Sequence, residues 1–271
     1  MRRKYEHVLT RCNHSARPFR RSLRHGMAAL LLAACSLNAA GAQQLTGDLD
    51  EFFRSVTDGR LEIVREGLTR HPEWANAELF LGIRPVYRAS VLGRQEVVEL
   101  LLQSGADVHA TTDRGTHALH AAAQQGHDGI AQLLLSAEAP VDVSNDNGQT
   151  PLLLAVRSNR LSTVQLLMAH GADLAWSDKS GRTALHYAAG LGRLEIVRLL
   201  VDNGVDPDPV DREGFTPLGL ARTWKRNDFE AVDQLLTRRG ASDLRPEKAW
   251  PTPAEPEEVS PAAPTSEGQV P

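Results

Sequence analysis

Four histidines, His117, His120, His127 and His186, stand among acidic residues, and imidazole beside carboxylate is the pairing from which metal sites and general bases are made. His117 and His120 are three apart at the start of an expected helix, so they are the pair placed to share a metal. A zinc site needs three or four convergent ligands, and the sequence specifies no third. Both cysteines, Cys12 and Cys35, lie near the amino terminus, which leaves the rest of the chain without a thiol for metal binding, disulfide formation or nucleophilic attack. No nucleophile elbow, phosphate-binding glycine loop or paired-carboxylate constellation is present. Asp113, Asp146, Asp178 and Asp211 each precede a glycine by two or three residues and read as turn acids. The sequence thus assigns no catalytic residue, no metal ligand and no cofactor, and a histidine-based metal-binding or enzymatic protein is kept only as an alternative.

The elements that carry these residues recur. Glycines fall at 82, 115, 148, 181 and 214, each 33 residues after the last. The positions just after them read RPVY, HALH, TPLL, TALH and TPLG, from Arg84, His117, Thr150, Thr183 and Thr216. Gly93, Gly126, Asn159 and Gly192 follow as a second landmark, with Asn serving as the usual substitute for Gly at positive φ. Leucine-rich segments come next, and Gly105, Glu138, Gly171 and Gly204 end them. Ser177 to Asp206 shows the full pattern. Thr183 stands at a helix N-cap, and Leu185, Ala188 and Ala189 form a first apolar face. After Gly192, Leu194, Ile196, Val197, Leu199 and Leu200 form a second face at helical spacing. Neither helix is long enough to be stable alone, so each pair needs neighbours of its own kind.

A 33-residue period with TPLH-like openings and GAD-like endings resembles the ankyrin repeat. The resemblance implies a mainly α fold, an ankyrin solenoid of β-hairpin/α-hairpin repeats with about six units. It also implies that His120 and His186 bond the hairpin region of adjacent repeats, and that His127 fills the family's Gly-His turn. Function is then expected on the concave face, as non-enzymatic binding of a protein partner. The implied contact positions are Arg114, Thr116, Gln124, Gln125 and Asn147, then Gln149, Arg157, Ser158, Lys179 and Arg182. Leu191, Arg212, Phe215 and Trp224 complete the set. Five of these are cations and three are large apolar residues, which suits an acidic protein partner.

The flanks differ in composition. Residues 1–42 carry eight Lys/Arg and one acid, leaving 22 bases and 33 acids in the remainder, a net charge of −11 that disfavours nucleic acid. A basic stretch, an apolar run from Met27 and the small residues Ala40, Gly41 and Ala42 resemble a bacterial secretory signal peptide, with cleavage between Ala42 and Gln43. Leu32 to Cys35 resembles a lipobox, so lipidation of Cys35 is the rival, and membrane contact is expected only through this segment. The expected organisation is a signal over 1–42, a linker over 43–47, the repeat domain over 48–244 and a disordered Pro-rich acidic tail over 245–271. Within the domain, the segment from Leu49 to Leu81 lacks the TPLH opening and reads as an N-terminal capping repeat, with Trp74 packed under its loop. The last repeat carries about three extra residues near Trp224 to Asp228, because its Leu235-Leu236 pair falls 36 residues after Leu199-Leu200. The expected location is the periplasm, and an envelope-tethered spacer lipoprotein is the alternative role.

Overall fold

The structure is a computed structural model that describes residues 39–245, with side chains from Asp48 onward. Cys35 and the rest of the expected signal before Ala39, together with the tail after Arg245, lie outside the described residues. Among those residues there are twelve α-helices and no strand, arranged as six helix pairs. The chain divides into two compact units between Asp173 and Leu174.

The first unit holds four pairs: α1 (Ala39–Asp58) with α2 (Leu61–Arg70), α3 (Pro85–Val91) with α4 (Gln95–Gln103), α5 (Ala118–Gln125) with α6 (Asp128–Ser136), and α7 (Pro151–Arg157) with α8 (Leu161–Ala169). First helices pack on first helices, α1 on α3, α3 on α5 and α5 on α7, while α2, α4, α6 and α8 form a second row in the same order. The sequence explains these elements locally. Thr150 is extended at the N-cap of α7 and accepts from the Leu153 N–H at 3.4 Å, and Pro151 takes the first helical position where no N–H is needed. Val98, Leu101, Ile130, Leu134, Val164 and Leu167 sit at 0–1% exposure along the second row. Each such side chain contributes about 1.5–3 kcal/mol on burial, which is what the short helices lack on their own. In the opening pair, Trp74 is buried against Phe52 with ring centroids 5.3 Å apart, the packing role expected for it. Among the described residues helix α1 covers Ala39–Asp58, so the segment 43–47, expected to be a linker, is helical and the expected cleavage point at Ala42 and Gln43 falls inside the helix. Its Ala, Gln and Leu content favours helix, and no proline interrupts it.

The second unit holds α9 (Ala184–Gly190) with α10 (Leu194–Asp202) and α11 (Pro217–Trp224) with α12 (Phe229–Arg238). Here α9 packs on α11 and α10 on α12. No helix among the described residues is long and apolar enough to cross a membrane.

The hairpin arms expected between pairs are too short to form a ladder; one isolated antiparallel bridge joins Thr111 and His117. What orders these tips is a side-chain acceptor three residues before the repeat glycine. Asp178 Oδ1 accepts from the N–H groups of Ser180 and Arg182 at 2.8 and 3.1 Å, and Asp211 Oδ1 from Glu213 and Phe215, both at 2.9 Å. Asn145 does the same for Asn147 and Gln149, and Thr112 for Arg114 and Thr116. Asp178 and Asp211 are therefore turn acids, as expected, whereas in the two preceding tips the neighbours of Asp113 and Asp146 do that work. Successive tips also bond to each other, the Asp146 N–H donating to the Arg114 carbonyl and the Arg212 N–H to the Ser180 carbonyl, at 3.1 and 2.9 Å.

At the far end of the second helices, Gly105, Gly171 and Gly204 all have φ near +80°, and Glu138 adopts φ +64° in the same place. The Ala139 N–H still reaches the Leu134 carbonyl at 3.0 Å, as the Ala106 N–H reaches Leu101, so the turn has kept its form with the wrong residue type. A Cβ at Gly105, Gly171 or Gly204 would meet nothing within 4 Å, so at this kind of turn the cost is conformational rather than steric. A non-Gly residue there costs on the order of 1 kcal/mol. Glu138→Gly is expected to raise stability by about 0.5–1 kcal/mol after the entropy added to the unfolded chain, read from denaturant midpoints. A midpoint that falls would show that the Glu138 side chain contributes more than its strained backbone costs.

Candidate functional site

The histidines resolve first. His120 is fully buried, its Nδ1 accepting from the His117 N–H at 3.2 Å and its Nε2–H donating to the Gln149 carbonyl at 2.9 Å. His186 repeats this arrangement, with Nδ1 accepting from the Thr183 N–H at 3.2 Å and Nε2–H donating to the Phe215 carbonyl at 3.0 Å. Both ring nitrogens are used in each, so neither has a lone pair left for a metal or a substrate proton. Burial holds His120 neutral, with a pKa lowered to about 4, and lowers His186 as well. These are struts that fasten one tip to the next pair. His117 and His120 do stack, at 5.6 Å between centroids, but among the described residues no group of three metal-ligating side chains exists.

The expected contact positions separate by environment. In the first unit, Arg114 and Asn147 are exposed at tips, Gln124, Gln125 and Arg157 are exposed at the ends of α5 and α7, and Thr116 and Ser158 are half-buried. Gln149 is buried, held by the His120 bond through its carbonyl. In the second unit, Lys179 and Arg212 are exposed on adjacent tips. Phe215 is buried at 7% exposure, and Leu191 and Trp224 are half-buried. Arg182 is not the exposed cation that the sequence suggested. Its Nε donates to Asp211, whose side chain is fully buried, and another nitrogen donates to Glu213, both at 2.9 Å. A charge so neutralised cannot steer a ligand; it secures the tip and supports the Trp224 ring, which lies 5.5 Å from its guanidinium carbon.

Leu191, Phe215 and Trp224 are brought together. With Arg193, Glu213, Leu220 and Arg226 among the other lining residues, they border a recess of about 750 Å³ contained in the second unit. The extra residues of the last pair make it. Compared with α9 and α10, helix α11 is one residue longer, the connecting turn one residue longer and α12 one residue longer, which carries Gly204 to Gly240 across 36 positions. The longer turn adopts positive φ at two non-glycine residues, Lys225 at +47° and Asn227 at +41°. Asn227 Nδ2–H donates to the Leu191 carbonyl at 2.8 Å and holds the turn over α9. Gly190 admits the Trp224 ring, since a Cβ there would come within 2.7 Å of it, and a Cβ on Gly192 would run into the Arg226 carbonyl. Arg193 Nε is buried with no hydrogen-bond partner. Backbone strain, an aromatic wall and an unsatisfied guanidinium nitrogen thus converge on one place, the combination expected of a binding site.

The family model for ankyrin repeats in three copies matches residues 86–178 and 173–245. Together these spans cover more than half of the 271 residues. The chain belongs to the ankyrin repeat family. Ankyrin repeats are protein-interaction modules and generally non-enzymatic scaffolds, which fits histidines spent on structure. The pair α1 and α2 lies outside the matched spans, where the sequence lacks the TPLH-like opening.

Sequence reasoning missed two features of these ankyrin repeats. Arg193 and Arg226 join the recess, and only the insertion pointed there. The tip from Leu79 to Gly82 has a leucine where the others place Thr, Asn or Asp, so its backbone has no side-chain acceptor. Leu81 takes φ +68°, and Phe80 is left 84% exposed. The signal was legible as LFLG in a run of polar tips.

The buried struts set a pH dependence. An unfolded histidine takes up a proton near pH 6.5, whereas folded His120 resists until about pH 4. The stabilisation is complete above about pH 6.5 and is lost as pH falls toward 4. Urea midpoints are expected to show a loss of about 2 kcal/mol between pH 7 and 5 from this group. His120→Gln is expected to be less stable at pH 7 and flatter with pH. An equal slope in that variant would assign the loss to other groups.

Proposed function

We propose that this chain is an exported, non-enzymatic ankyrin scaffold that recognises an acidic protein partner in the periplasm. The observation that carries the reading is the recess walled by Leu191, Phe215 and Trp224 and bordered by Arg193 and Arg226. Trp and Arg are the types that dominate interface hot spots, and a half-buried Trp beside unpaired guanidinium nitrogen offers apolar anchoring with charge selectivity. Exposed Lys179 and Arg212 on the tips of the same unit supply the longer-range field, since Arg182 is neutralised by Asp211 and Glu213. Export rests on the basic and apolar segment before Gln43, with Cys35 lipidation as its rival form. The partner's identity is to be taken from cross-linking of tagged protein in its own envelope, with intact mass of the same preparation expected to begin at Gln43.

With the partner captured, binding kinetics divide the roles. Trp224→Ala is expected to raise the dissociation rate about tenfold or more, at unchanged association rate. Arg212→Glu is expected to lower the association rate and its salt dependence instead. Unchanged kinetics in both, with helix content intact, would place binding elsewhere on the molecule.

A further inference from the structure

The described chain leaves the second unit beside the helix that forms the recess. The Leu244 carbonyl accepts from the Thr216 N–H at 3.1 Å, and Thr216 Oγ1 accepts from the Leu244 N–H at 3.2 Å. Thr216 is the N-cap of α11, so the chain passes Arg245 against the first turn of this helix, whose last residue is Trp224. Eight helical residues span only about 12 Å. The 26 residues after Arg245 hold five glutamates, Glu247, Glu255, Glu257, Glu258 and Glu267, against one lysine, Lys248. They also carry Trp250 between Ala249 and Pro251, followed by Pro253 and Pro256. A proline-rich chain advances about 3.1 Å per residue, so the ten residues to Glu255 reach about 31 Å, well beyond the recess.

Reach, charge and composition agree on one occupant. We propose that the acidic, proline-rich segment 246–271 folds back onto the recess of its own chain, setting glutamates against Arg193 and Arg226 and prolines or Trp250 against Trp224. Proline-rich segments bind aromatic-lined grooves at small entropic cost because their backbone is already extended, and tethering raises the effective concentration to the millimolar range. The tail then competes in cis with an external acidic partner and sets a threshold for its binding. This inference rests on the recess being the binding site.

Zero-length carbodiimide cross-linking of the full chain tests it, since the reagent joins a carboxylate only to an amine in contact. Lys225 adjoins the recess, between Trp224 and Arg226, and exposed Lys179 on a tip is the internal control. Mass spectrometry is expected to find Glu255, Glu257 or Glu258 joined to Lys225 several-fold more than to Lys179. The yield is expected to fall at least threefold in Arg226→Ala, and also in about 1 M salt, where the screening length is about 3 Å. In a mixture of isotopically heavy and light protein, joined peptides should be of like label. Equal joining to both lysines, or a yield indifferent to Arg226→Ala, overturns the proposal, and heavy-to-light joining overturns it in favour of a second copy. Partner kinetics separate the two readings. If Trp224→Ala still weakens the partner while no tail cross-link forms, the recess stands and the tail's place falls. If the cross-link forms and Trp224→Ala leaves the partner untouched, the tail has its site and the partner binds elsewhere.

Discussion

No helix from α2 onward exceeds ten residues, and helices of that length do not hold together in water without a packed face. Everything else in the structure depends on satisfying this constraint module by module. The apolar rows of first and second helices supply most of the stabilisation, but apolar contact alone does not fix register. Register comes from polar groups with a single solution: an Asp, Asn or Thr that folds each ordered tip, a tip carbonyl that receives the next tip's N–H, and a buried imidazole whose Nδ1 caps its own helix while its Nε2–H crosses the junction to the next tip. The histidines that looked like chemistry in the sequence are consumed by this task, and their lowered pKa is its by-product.

Against that regular background the last pair departs from the period, and the departure is local. Three extra residues divide among the end of α11, its turn and α12, while the apolar contacts of Val232 and Leu236 are kept at full burial. The turn is strained at Lys225 and Asn227, and two glycines of the preceding pair leave the room it needs. A fold that tolerates strain at one turn, with the core beneath it intact, has placed a surface feature where ordinary repeats have none. Arg182 shows how the two layers connect. Its charge is spent on Asp211 and Glu213, yet by holding the tip and lying against Trp224 it fixes one wall of the recess.

Much of this was legible in the sequence because its landmarks are backbone requirements. The positive φ at Gly126, Asn159, Gly192 and even Glu138 follows from the turn each must make, and Thr150 with Pro151 announces a helix start in any context. The insertion was visible too, from the displaced Leu235-Leu236 pair. What the pattern did not carry was the fate of individual side chains. Arg182, Lys179 and Arg212 look alike in sequence, and only the position of Asp211 three residues before Gly214 decides that one of them is neutralised. Gln149 was assigned to the surface, yet its carbonyl is needed by His120 and its side chain is buried with it. Helix α1 extends past its expected start because the landmarks used to bound repeats are absent from the first pair, and helix propensity rather than period governs there.

The central claim is that the inserted turn, and not the repeat surface in general, is what binds. The most direct measurement is partner affinity in a full-length chain whose last helix pair is returned to the ordinary period, with the six residues Trp224 to Phe229 replaced by the three of the Leu191-Gly192-Arg193 turn. The strained positive φ at Lys225 and Asn227 would then be replaced by a single glycine turn. The account predicts a thermal midpoint equal to or above that of the parent chain, together with loss of most of the partner affinity. Full affinity in that chain, with its fold intact, would contradict it.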